Sequence, residues 1–536
     1  MWARSSKARE GLLCVCLAAA AAALLVWLAP PGGDLAAHLY QRRLYLSHGL
    51  TLWDDYWYAG RYSFIGYSVL YYPLAALVGI KLLTVLEVAV AAGAFALLLE
   101  REWGLAARWA GRAFALVWAG VWITGEFPFA LGVALGLLAL LALQAGRRWT
   151  GAALTLLVLA ASPVAFVMLG VVLVAVAVTR RERGRLGWVP ALALAVGVVA
   201  ELLLLRLFPG GGTLAFPVGE AALAVVFCLG GIALAWGVPR AALVRSVLAV
   251  YLLVVVAAWA IPSGLGHDIA RLRLLALPLA LLIVALRRWR PLPLAVAAVV
   301  LAGVWNIVPL AGGCTRSADD GSSRAAMWAP AVAYLHAHLR PGFRVEGVDT
   351  SQHWPAWYLG GEGIPLARGW FRQDDHPFND LFYRRFPAYS YGVWLRRLGV
   401  AYVVLADATP DSTSREEARL VRSGHAGLKR VLTGPVSVYA LPQPRSIVTG
   451  PGRPRPAVLS LRESRLRVRV SRGGTYHLSV RWSPYWHAST GCLARGPDDM
   501  LVLRTSAAAT VTVAFRPDAG SLWRALKGST PSCPAS

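Results

Sequence analysis

The feature that most restricts this chain is a train of apolar runs, most of them long enough to cross a bilayer, punctuated by short arginine clusters. In hydrocarbon a backbone must satisfy its own N–H and C=O groups, so such runs are read as helices. They fall at about 12–29, 74–99, 109–124, 127–146, 187–207, 220–237, 243–261, 271–286 and 292–310. Residues 149–178 are a longer case, with Arg147-Arg148 before them and the cluster Arg180 to Arg185 after them. Ser162-Pro163 interrupts that stretch, and proline removes a helical hydrogen bond, so a hairpin of two short helices is expected there. The reading is an α-helical polytopic membrane protein with about eleven transmembrane helices. Composition agrees, because 15% charged residues against 57% hydrophobic is too little charge to cover a soluble protein of this length.

The net charge of +25 raises the question of nucleic acid. The basic residues instead sit in short groups between the apolar runs, as the positive-inside bias requires, so no nucleic-acid partner is expected. Arg4, Lys7 and Arg9 put the N-terminus inside, and Arg101, Arg108, Arg112, Arg147, Arg148, Arg240, Arg245 and Arg287 to Arg290 mark further inside turns. The first run lacks a clean cleavage site before Pro30 and is read as a retained helix rather than a signal peptide. The resulting topology is N-in and C-out, with outer loops at 30–66 and 262–270.

After about residue 310 no run is long enough to span. Residues 311–442 mix a helical stretch near 327–339 with β-like runs at 343–348, 401–406 and 436–441, the pattern of an α/β domain. A Pro/Gly/Arg-rich linker at 442–456 follows. Alternating runs at 466–471, 475–482 and 510–515 then predict a β-sandwich-like domain over 443–536, exported like the rest of the tail. The transmembrane domain is accordingly 1–310. Cys314, Cys492 and Cys533 lie in the exported part, where one disulfide is chemically allowed and the pairing stays open.

The outer loop at 30–66 carries the most chemistry. Asp34 and His38 are four apart and would share a helical face. Trp53, Asp54, Asp55, Tyr56, Trp57, Tyr58, Arg61 and Tyr62 follow, a grouping suited to sugars because aromatic faces pack on pyranose C–H groups and carboxylates bind hydroxyls. The ordinary alternative is a helix cap at Asp34 and an interfacial aromatic belt. At 262–270 and just beyond, His267, Arg271 and Arg273 sit where a helix re-enters lipid, and snorkelling is the plain alternative to phosphate binding. Lys81, Glu87 and Glu126 fall in or beside apolar runs, where pairing with other helices is expected. In the tail, Trp482, Tyr485, Trp486 and His487, and the loop with His353, Asp374, Asp375 and His376, read first as core and loop polars and only second as glycan contacts.

GGDLAAHLYQ after the first apolar run, then WDDYWYAGR in a long outer loop, resembles the GT-C membrane glycosyltransferases. It is also similar to YfhO-like bacterial multi-pass membrane proteins, as are the segments RLGVAYVVLA and VRWSPYWHAST. The resemblance implies transfer of a sugar from a polyprenyl-phosphate donor to a cell-envelope glycan, lipid or protein acceptor, on the outer face of the cell membrane. Asp34, with His38 beside it, would take the catalytic position, Asp34 being the general base. Asp54, Asp55, Trp57, Tyr58 and Arg61 would bind substrate, and His267, Arg271 and Arg273 the donor phosphate. Some relatives use a divalent metal, Mg or Mn, which Asp54-Asp55 with Asp34 could hold as oxygen ligands. A multi-pass transporter and a non-catalytic envelope scaffold of the same fold are the competing classes.

Overall fold

The computed structural model describes residues 2–179, 187–210, 212–528 and 533, with side chains at all of them except 2–7, 372 and 377. The arginine cluster 180–185 and the side chains of Arg4 and Lys7, used above for topology, lie outside the described residues. The chain divides into two compact units. One comprises Met1–Asp34, Tyr67–Leu202 and Thr213–Asp319, and the other Leu35–Gly66, Leu203–Gly212 and Asp320–Ser536. This departs from the division expected at residue 310. Most of the outer loop, from Leu35 to Gly66, clusters with the C-terminal part rather than with the helices that flank it in sequence.

The first unit is helical. Among the described residues seven runs are long and apolar enough to cross a membrane: Ala8–Leu28, Ile80–Thr124, Phe127–Gln144, Trp188–Leu207, Pro239–Ala260, Gly266–Leu286 and Leu292–Ala318. Three shorter apolar helices, Arg148–Ala161, Pro163–Thr179 and Val218–Leu234, accompany them. The first two meet at the expected break. Ser162 is extended there, and its hydroxyl accepts the backbone N–H of Ala165 at 3.3 Å, so the serine caps the helix that proline begins. The last helix runs on to Ala318, past the expected end near 310.

Charges within this unit are handled unevenly. Arg112 donates two bonds to the Glu10 carboxylate at 2.8 and 2.9 Å, fixing two helices to one another. Glu87 is buried with neither carboxylate oxygen hydrogen-bonded, and Lys81 is exposed. The pairing expected for those two is therefore not formed among the described residues.

The described residues of the second unit form three four-stranded sheets and a short hairpin, Trp53–Asp54 with Arg61–Tyr62. One sheet is mixed: Arg344–Gly347 runs parallel to Val400–Ala406, which pairs antiparallel with Val436–Ala440, and that with Lys429–Leu432. Helices Ala325–His338 and Ala388–Arg397 belong to this α/β part. The other two sheets are antiparallel and pack as a sandwich around Leu466, Val468, Tyr476, Leu478, Leu501 and Val511. Period-two alternation made its strands readable, and Arg465–Val470, Gly474–Arg481 and Ala509–Phe515 lie within a residue or two of the expected runs. The linker is not wholly a linker. Its apolar pair Ile447-Val448 is buried, and Val448–Thr449 adds a strand beside Gly474–Arg481. Cys492 and Cys533 form the disulfide, and Cys314 is free.

Candidate active site in the membrane unit

Three glycine-bearing segments let separate loops of the first unit approach closely. At Gly32, a side chain would meet the carbonyl oxygens of Trp122 and Ile123 at 2.6 Å, so only glycine lets the loop lie against that turn. Gly125 has φ +77° and ends helix Val121–Thr124, and a Cβ there would lie 2.9 Å from the Cβ of Asp34. Asp34 is thereby seated on the Gly125-Glu126 turn, which the sequence places some ninety residues later.

The third segment is the 3-10 stretch Gly266–Leu275. A side chain at Gly266 would collide with the Leu214 carbonyl. Two polar residues from neighbouring helices hold the stretch: the Tyr251 hydroxyl donates to the Ile269 carbonyl at 2.7 Å, and Asn306 donates to the Arg273 carbonyl at 3.2 Å. Asn306 also accepts the Leu277 N–H at 2.8 Å. Its mate groups are backbone atoms that would otherwise go unpaired where a 3-10 turn passes into helix.

These supports bring Arg271 to the loop acids. Its Nε lies 3.0 Å from Glu126 Oε1 and its Nη2 lies 2.9 Å from Asp268 Oδ1, while the guanidinium sits 5.0 Å above the Phe129 ring. Asp34 and Tyr67 act on the same guanidinium through space. The second oxygen of Glu126 is buried without a hydrogen bond. Burial raises the Glu126 carboxyl above its ordinary value, Arg271 opposes that rise, and the nearby charges of Asp268 and Asp34 add to it. Burial likewise raises the Tyr67 phenol, with Asp34 contributing.

Arg273 is less committed. It faces Glu220 at 3.9 Å, with the two side chains 31% and 39% exposed. His267 places Nδ1 3.2 Å from the Ala215 carbonyl and Nε2 3.8 Å from Asp268. Four carboxylates thus share this region with two arginines, so it favours a proton or a developing positive charge over a second unpaired anion.

The structure gathers Asp34, His267, Arg271 and Arg273 in one unit and sends the other expected site residues to the second. His38 is buried in helix Leu35–His48. Asp54 accepts from the Tyr40 hydroxyl and from the Tyr56 N–H, each at 2.9 Å, and burial pushes its carboxyl up to about 6. Asp55 accepts from Trp53 Nε1 at 2.7 Å. Trp57 is fully buried and stacks on Tyr40 at 4.2 Å. The Tyr58 hydroxyl donates to the Phe371 carbonyl at 3.1 Å, and Arg61 pairs with Asp374 at 2.6 Å. Both carboxylates are fully buried, although one Asp55 oxygen accepts no hydrogen bond among the described residues, so neither faces solvent where a sugar would arrive. Tyr485 and Trp486 pack in the sandwich core with Trp53 and Phe515.

Glu126, Asp268, Tyr67 and Asn306 escaped the site expected from sequence. Asp268 is three residues before Arg271, and that helical spacing was the one available local signal. Among the described residues no group of three or more His, Cys, Asp or Glu side chains is placed to hold an ion.

No protein-family model and no curated protein matches this sequence. Among solved structures the chain is similar to the arabinofuranosyltransferase AftD from Mycobacteria, at 18% identity and a TM-score of 0.47 over 80% of this chain and 40% of that one. A mutant form of AftD gives 18% identity and 0.46 over 80% and 42%. The chain therefore spans about two fifths of the length of those proteins. At such scores the likeness assigns neither fold nor activity.

Proposed function

We propose that this chain is a membrane glycosyltransferase of the GT-C type, moving a sugar from a polyprenyl-phosphate donor to a hydroxyl of a cell-envelope acceptor. The observation that carries this reading is the meeting of Asp34 with the Arg271 cluster, from loops far apart in sequence, at the ends of apolar helices. In this reading the acceptor oxygen attacks the anomeric carbon, its proton passes to the Asp34 carboxylate, and the bond from that carbon to the phosphate oxygen breaks. The polyprenyl phosphate departs with the electron pair as an anion, and the product has inverted configuration.

The local charges divide the labour. Arg271, held by Glu126 and Asp268, is a positioning residue that fixes the acid-bearing loops. Arg273, loosely paired and part exposed, is the cation free to turn to the leaving phosphate, and His267 lies on the same 3-10 stretch. The surplus of carboxylates stabilises the oxocarbenium-like centre.

The test is sugar transfer from a synthetic polyprenyl-phosphate donor by the purified protein in nanodiscs. Asp34→Asn should lower the rate roughly 10²–10⁴-fold while leaving thermal unfolding unchanged. Full activity in that variant would remove the assignment. Transport of a solute by the wild type, with no glycan product, would instead favour the transporter class.

A further inference from the structure

The outer face of one sandwich sheet carries a row of arginines that the proposed reaction does not use. In strand Arg465–Val470 the residues Leu466, Val468 and Val470 point into the core, leaving Arg465, Arg467 and Arg469 exposed on the other face. Residues directly opposite on paired strands share a face. On one side the register sets Arg462, Ser460 and Ala457 against Arg465, Arg467 and Arg469. On the other it sets Ala514, Thr512 and Thr510 against the same three.

Four guanidinium groups therefore line one surface, with neighbours along the strand about 7 Å apart. None of the four makes an ion pair or a side-chain hydrogen bond among the described residues. Like charges this close oppose the sheet that carries them, and no carboxylate among the described residues pairs with them. Glu463, next to Arg462 in sequence, lies instead 3.4 Å from His48.

A cavity of about 280 Å³ lies beside the edge strand of the same sheet, near the lower end of small-ligand sites. It is lined by Tyr56, Phe343, His336, Arg340, Ser460 and Arg462, so Arg462 belongs to both the cavity and the arginine row. Two aromatic side chains give apolar walls on which a sugar ring can stack, two arginines bring positive charge, and a histidine adds a hydrogen-bonding ring.

The surroundings decide among polyanions. Among the described residues the large exposed apolar side chains of this unit are Leu46, Leu50, Leu203, Leu205, Tyr383, Tyr389, Val393 and Trp523, none of them in a strand of this sheet. A lipid surface needs apolar side chains to enter it, and a single-stranded nucleic acid needs a series of exposed stacking rings. The face offers instead hydroxyls between arginines, with one aromatic-walled cavity at its end. We propose that it is a binding site for an acidic polysaccharide. One anionic sugar sits in the cavity by Arg340 and Arg462, and the following anionic groups lie along Arg465, Arg467 and Arg469. This holds whether or not the membrane unit transfers sugars.

The experiment is calorimetric titration of the full-length protein, in nanodiscs of neutral lipid, with an oligogalacturonate. Saturable binding that weakens with added salt is expected, with no binding of neutral dextran. Arg462→Ser should weaken it roughly tenfold, and the triple variant Arg465→Ser, Arg467→Ser, Arg469→Ser at least about a hundredfold. Thermal unfolding should not move to lower temperature in either variant, because all four side chains are exposed and their removal only relieves repulsion. No binding by the wild type, or undiminished binding by the triple variant, overturns the proposal. So does equal, arginine-dependent binding of phosphatidylglycerol vesicles or single-stranded DNA, since the face would then read a lipid surface or charge alone.

Discussion

The two units each gather acids around an arginine, and the contrast between the clusters separates structure from chemistry. In the second unit Arg368 is enclosed. It meets both oxygens of Asp375 at 3.2 Å, Glu417 at 3.4 Å and Glu346 at 3.8 Å, and its guanidinium lies 3.9 Å from the Phe382 ring centroid. The acids have further partners: Tyr391 donates to Glu417 at 2.8 Å, and Asn379 and Tyr383 donate to Asp375 at 2.8 and 3.0 Å. Glu346 accepts no hydrogen bond at either oxygen among the described residues, but the arginine and all three of its acids are buried away from solvent. In the first unit the acids around Arg271 remain part exposed, one Glu126 oxygen is unpaired, and Arg273 is held at 3.9 Å only. The first arrangement locks a fold, and the second can exchange partners.

The largest effect that could break this contrast is at Arg368. Arg368→Met leaves three buried carboxyls without their cation and should cost the second unit about 3–5 kcal/mol, read by scanning calorimetry and by hydrogen exchange in strand Arg344–Gly347. A small change there would mean the network is not structural. Arg273→Gln should act oppositely, cutting sugar transfer roughly 10²-fold with an unaltered unfolding profile. If it unfolds the protein instead, the looser pair is structural too.

Acidity sharpens the contrast further. Burial raises Glu417 from 4.5 to about 7 against the pull of Arg368, and burial raises Glu346 as well. A folded state that binds a proton more tightly than the unfolded chain is most stable below the unfolded value and loses that advantage as pH rises through the folded one. Stability of the second unit should therefore fall between about pH 4.5 and 7, by at most ~1.4 kcal/mol per pH unit for each group. Glu417→Gln should flatten the slope, and an unchanged slope would exclude Glu417 as its source. A smaller loss, about 1 kcal/mol, is expected for Tyr40→Phe, which removes one hydrogen bond to buried Asp54. The exposed pair Arg43–Glu362 marks the lower end, and Arg43→Ala should change the unfolding free energy by less than about 1 kcal/mol.

Local signals were read well from the sequence. The helix break at Ser162-Pro163, the apolar helices, and the alternating strands of the sandwich all follow from spacing within one segment. Partners across segments were not. Trp57 and Asp54 look like a sugar platform in a loop, yet Tyr40 stacks on one and donates to the other, which closes both. Three cysteines left the disulfide open until Cys492 and Cys533 were brought together. Asn306, a lone polar residue in an apolar run, gave no sign that it supports the turn bearing Arg273.

Hydropathy and period depend on the order of residues within a few turns, so the sequence alone determined that lipid-soluble helices come first and a sheet-rich part follows. Which charges would be enclosed and which left able to change partner depended on contacts between residues tens to hundreds of positions apart. Only the tertiary structure decided that, because burial, not identity, sets whether a carboxylate is spent on the fold or available to a ligand.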